Sequence, residues 1–139
     1  MIIELGYTAP PKLVPLQEPR PLSHRERELL EFLVDSCESD ELREQVAQAE
    51  VVATCSCGCP SIGLRGDGPE VPRDAMRGLG DFDHDDHARL TARGLSAGER
   101  PVEVALHVSL GRIWEMEVWS GAEGDVAFDL PAVDTLRTA

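Results

Sequence analysis

Aromatic side chains are scarce: two Trp, one Tyr and three Phe make up 4% of the 139 residues. Any core must therefore be built mainly from Leu, Val and Ile. Lysine is almost absent, with Lys12 the only one, and the 13 basic residues face 26 acidic ones for a net charge of −13. A field of that sign repels nucleic acid phosphate and anionic membrane surfaces, which argues against DNA, RNA or membrane partners. No stretch reaches the roughly 18 apolar residues of a membrane span, and Met1-Ile2-Ile3-Glu4-Leu5-Gly6 lacks the basic start and apolar run of a secretory signal. A cytoplasmic setting is expected. The chain also lacks G-x-S-x-G, P-loop and G-x-G-x-x-G motifs, and its Ser, His and Asp residues are too scattered to nominate a triad. No catalytic residue and no organic cofactor is assigned, and a non-enzymatic role is favoured.

What is present suits one globular domain, with 42% hydrophobic and 28% charged residues. Residues 1–21 carry Pro10, Pro11, Pro15, Pro19 and Pro21, which predict an extended arm, with Leu13, Val14 and Leu16 available to pin it. The domain proper is expected over 22–139. Ser23 and Glu26 have capping-box spacing ahead of a helix over about 24–35, with Leu29, Leu30 and Leu33 on one face. Ser39 or Asp40 can cap a second helix through about Ala49, with Leu42 and Val46 turned inward. Leu22 to Glu50 holds nine acids and three arginines, a net of −6, so this helical pair carries almost half of the acidity.

Strands are predicted over Val51–Cys55 and Ser61–Arg65. Gly66 to Gly98 is rich in Gly, Pro and Asp and reads as a flexible connection at about 66–100, with helical turns possible near Arg73–Leu79 and Asp85–Arg93. Alternation returns in Val102, Val104, Leu106 and Val108, and again in Trp114, Met116 and Val118. A three-residue loop Ser109-Leu110-Gly111 pairs Leu106 with Trp114, Val104 with Met116 and Val102 with Val118. A two-residue turn opposes Val104 to Glu117 and Leu106 to Glu115 and puts carboxylates on the core face, so burial selects the three-residue loop. On the reverse face Glu103 then meets Glu117, Ala105 meets Glu115 and His107 meets Ile113, which reads as a solvated sheet surface. Phe128 to Val133 and the chain end are expected to lie against the sheet.

Cys55, Cys57 and Cys59 are the feature with definite chemistry, as thiolates are soft ligands for zinc. In a straight strand neighbouring thiols on one face stand about 6.5–7 Å apart, too far to share an ion. A turn at Gly58-Cys59-Pro60 is required, with Cys37, His84, His87 and His107 as candidates for a fourth ligand. Buried structural thiols and a strained Cys57–Cys59 disulfide are the other readings. Asp81-Phe82-Asp83-His84-Asp85-Asp86-His87 lacks the glycine and terminal glutamate of a calcium-binding EF-hand and reads as a solvated acidic loop.

Two acidic helices, then Cys55-Ser56-Cys57-Gly58-Cys59-Pro60-Ser61-Ile62, then the hairpin Val104 to Trp119, resemble a family of uncharacterised small actinobacterial proteins over residues 22–120. That resemblance implies an intracellular setting and lends the cysteines weight, and it supplies no function. The expected architecture is α+β: a small antiparallel sheet of about four strands, from 51–65 and 102–120, with two N-terminal helices packed on one face. The expected function is a small acidic protein-interaction module of antitoxin, immunity or regulatory type, binding a basic partner. The alternative is a zinc-binding protein using Cys55, Cys57 and Cys59.

Overall fold

The computed structural model describes residues 13–83, 86–120 and 128–138. Helix α1 (His24–Asp35) opens on a capping box: the Glu26 amide donates to Ser23 Oγ at 3.1 Å, and the Ser23 amide donates to the Glu26 carboxylate at 2.8 Å. Arg20 donates to both oxygens of the same carboxylate at 3.0 Å. Burial pushes the Glu26 carboxyl up, but the Arg20 fork and the Ser23 amide outweigh it and hold it below its ordinary range. Helix α2 (Asp40–Ala47) starts at Ser39, whose Oγ accepts from the Leu42 amide at 3.2 Å.

Among the described residues, eight strands form one antiparallel sheet: β1 (Leu13–Pro21), β2 (Ala49–Cys55), β3 (Ile62–Gly66), β4 (Asp81–Asp83), β5 (His87–Ser96), β6 (Arg100–Ser109), β7 (Arg112–Ser120) and β8 (Arg137–Thr138). Seven run in the order β1-β2-β3-β7-β6-β5-β4, and β8 pairs with β5. The expected small sheet of about four strands is therefore wrong: the protein is built mainly on a large sheet. Two kinds of strand were hidden. Prolines forbid a helix in the arm but not a strand at the sheet margin, and β1 takes that position. In β5 the inward residues Ala88, Leu90, Ala92 and Gly94 alternate perfectly but are mostly too small to read as an apolar run. They pair with Val108, Leu106, Val104 and Val102 of β6. The segment read as a connection at 66–100 thus supplies β4, β5 and the short helix α3 (Arg73–Met76), and strand occupies 87–93 where a helical turn was anticipated.

Both longer helices cover one face. Leu29, Leu30, Leu33, Leu42 and Val46 are buried in a single core with Val102, Val104, Leu106 and Val108 of β6, Met116 and Val118 of β7, and Leu64 of β3. The tail closes the core margin: Leu130 and Leu136 join it, and Leu136 and Pro131 come within 2.9 and 3.0 Å of where a Cβ on Gly94 would stand.

The β6–β7 hairpin departs from the expected register. Its loop has two residues, Leu110 (φ 52°) and Gly111 (φ 84°), with Ser109 paired to Arg112 and Val108 to Ile113. One residue later the pairing shifts, so that His107 meets Glu115, Leu106 meets Met116, Ala105 meets Glu117 and Glu103 meets Trp119. Trp114 is the extra residue, a β-bulge. The bulge reverses the phase of β7 and keeps Glu115 and Glu117 out of the core despite the short turn. It also expels Trp114, which is 42% exposed.

Candidate functional site

Strand β2 carries a matching bulge. Val51 pairs with Leu64 but Ala53 pairs with Gly63, which makes Val52 the extra residue. Val51 therefore faces the helices, while Ala53 and Cys55 turn to the opposite sheet face and stand outside the main core. Beyond Cys55 the chain reverses, with the Gly58 amide donating to the Cys55 carbonyl at 3.2 Å and Gly58 at φ 88°. This turn begins earlier than Gly58-Cys59-Pro60, and it defeats the spacing of a straight strand.

The ligand atoms of Cys55, Cys57 and Cys59 all lie within 4.8 Å of one another. Cys55 Sγ and Cys57 Sγ are 3.0 Å apart, and the Cys57 amide donates to Cys55 Sγ at 3.4 Å. Burial, then the hydrogen bond with Cys57, pushes the Cys55 thiol up to about 12, whereas that same bond draws Cys57 below its ordinary value. Either thiol can be the donor of this contact, with Cys55 buried and Cys57 exposed. Cys59 Sγ donates to Ser61 Oγ at 3.3 Å. Ser61 in turn accepts from the Val118 amide at 2.8 Å and donates to the Val118 carbonyl at 3.1 Å, replacing a backbone ladder contact and tying the thiol loop to β7.

Among the described residues, no candidate fourth ligand joins this group. Cys37 lies at the end of α1, where its thiol donates to the Val34 carbonyl at 3.3 Å. His84 lies outside the described residues. His87 and His107 belong to a separate network that sequence reasoning missed. His87 Nε2 is 2.9 Å from His107 Nδ1, and His107 Nε2 is 2.8 Å from Glu117 Oε1. With the carboxylate as acceptor, Nε2–H of His107 donates to Glu117, and Nε2–H of His87 donates to the remaining lone pair of His107. The two rings stack at 5.0 Å and 13°, and Trp114 tilts over them, 5.4 Å from His107.

Two carboxyls flank this imidazole and are driven apart. The His107 hydrogen bond holds Glu117 below its ordinary range against the effect of burial, whereas burial pushes Glu115 up with His107 only partly offsetting it. The network can store and pass a proton. It shares its sheet face with the thiols: Ile62 pairs with both Thr54 and Met116, so Cys55 and Glu117 stand two strand spacings apart, about 10 Å. The missed signal lay in Ile113 and Met116, apolar residues of opposite strand phase that together demand a bulge between them. In the acidic run, Asp86 (φ 58°) pairs with Arg73 at 3.3 Å, and His84 and Asp85 lie outside the described residues. Set against family models, curated proteins and solved structures, the chain matches none of them.

Proposed function

We propose that this protein binds a thiophilic divalent metal, zinc first among them, through Cys55, Cys57 and Cys59. The observation that carries this reading is the convergence of three sulfurs within 4.8 Å on a turn. Thiolates around a tetrahedral zinc lie 2.3 Å from the ion and hence about 3.8 Å from one another. Cys55 and Cys57, at 3.0 Å, need only open by less than an ångström. Three protein ligands with no fourth side chain among the described residues suit a site that keeps a position open for exchange. The test is metal analysis of untagged protein. One zinc per chain is expected, lost in the C57S/C59S double variant, with a chelator lowering the unfolding temperature of the wild type alone. Less than one metal per chain in the wild type, or the same amount in the double variant, overturns it.

A second reading concerns the acidic helices. Glu31 and Asp35 on α1, Asp40 and Glu44 on α2, and Glu38 in the turn between them are all exposed. This surface suits a basic protein partner, whose arrival it would accelerate by electrostatic steering.

A further inference from the structure

We propose that Cys55 and Cys57 form a hydroperoxide-responsive pair, which closes to a disulfide and thereby releases the metal. Metal release rests on the zinc reading above, whereas disulfide closure rests on the sulfur geometry alone. Cys57 is the exposed member of the three, the one an oxidant reaches from solvent. Cys55 is buried behind it with its sulfur 3.0 Å away. A disulfide bond is about 2.05 Å long, so closure asks for roughly 1 Å of movement. The turn has room for it, because no atom beyond Gly58 and its two chain neighbours lies within 4 Å of where a Cβ on Gly58 would stand. Cys59 Sγ donates to Ser61 Oγ at 3.3 Å, whereas Cys55 Sγ is in direct contact with Cys57 Sγ, which makes Cys55 and not Cys59 the resolving partner.

The chemistry balances with a hydroperoxide as oxidant. The Cys57 sulfur attacks one peroxide oxygen, the O–O bond breaks, and hydrogen peroxide leaves a sulfenic acid on Cys57 and a hydroxide that is protonated to water. The Cys55 sulfur then attacks the Cys57 sulfur. The S–O bond breaks, and the hydroxyl departs as a second water with the proton of the Cys55 thiol. In the metal-free pair each of the two thiols gives up its proton to one departing hydroxide, so two thiols and one peroxide become one disulfide and two waters. In the zinc-loaded site the sulfurs are already thiolates, and solvent supplies both protons as the metal leaves. Two of the three metal ligands are consumed, and Cys59 alone cannot retain zinc.

The experiment treats zinc-loaded wild-type protein with equimolar hydrogen peroxide. Released zinc is followed with a chromogenic chelator, and the cysteines are mapped by alkylation and trypsin. All three cysteines fall in the tryptic peptide Glu44–Arg65. That peptide is expected two hydrogens lighter, with only Cys59 alkylated, in step with zinc release and reversibly on adding dithiothreitol. The C57S variant should form no disulfide, whereas C59S, treated without metal, should still form the Cys55–Cys57 bond. A Cys57–Cys59 disulfide, or sulfinic acid on Cys57 with no disulfide, overturns the proposal. So does zinc that stays bound with all thiols alkylatable, an outcome that leaves the metal reading standing. Disulfide closure in a wild-type protein that never holds zinc would sink the metal reading and spare the thiol pair.

Discussion

Gln45 shows how much one polar side chain can organise. It is fully buried in α2, yet its side chain makes three hydrogen bonds to the hairpin and the loop before α3. Its Nε2 donates to the Pro69 carbonyl at 2.8 Å and to the Gly111 carbonyl at 2.9 Å, and its Oε1 accepts from the Ile113 amide at 3.0 Å. The helix thus holds the loop before α3 and both sides of the β6–β7 turn. Q45L preserves volume but leaves the Ile113 amide and the Pro69 carbonyl without these partners. Destabilisation of about 2–3 kcal/mol is expected in urea unfolding, and a change below about 0.5 kcal/mol would show that water replaces the amide at no cost. Nothing in the periodicity of α2 marks this residue, since Gln45 sits beside Val46 on a helix whose inward positions were read as Leu42 and Val46. The capping box of Ser23 and Glu26 was legible for the opposite reason: both of its partners lie within one turn of the chain.

At the level of elements, local signals were readable and displaced ones were not. Helices α1 and α2, β2, β3 and the two hairpin strands follow from capping residues and alternation. The bulges at Val52 and Trp114 do not, because a phase reversal looks like a lapse in pattern until the partner strand is known. Yet those two bulges bring Cys55, Glu115 and Glu117 to the face that carries the chemistry. The short turn that makes the Trp114 bulge necessary depends on Gly111. At φ 84° it occupies left-handed space, and a Cβ there would stand 2.6 Å from the Val71 carbonyl oxygen. G111V should therefore cost about 2 kcal/mol or more, through backbone strain and loss of the 3.0 Å bond from the Val71 amide to the Gly111 carbonyl. An unfolding midpoint equal to that of the wild type would mean that the loop had re-registered to three residues.

At the scale of the molecule, among the described residues, the exposed acids of α1 and α2 lie on one side of the sheet, and Cys55 and the His87–His107 pair lie on the other. Binding of a basic partner to the helices should slow as salt rises, because the acids sit where mobile ions screen them. Exchanging Glu28, Glu31 and Glu44 for Lys should reduce the association rate while shifting stability by no more than about 0.5 kcal/mol. An association rate indifferent to both salt and these reversals would remove the helices from the interface. Among the described residues β1 is an end strand of the sheet, paired with β2 on one side, and Pro15, Pro19 and Pro21 each remove an amide donor from it. The register with β2 is also interrupted between Pro15 and Arg20. An edge so poor in donors and so irregular in register makes a bad template for a neighbouring chain, so the prolines that obscured β1 in the sequence also guard the sheet against growing, strand by strand, into an aggregate.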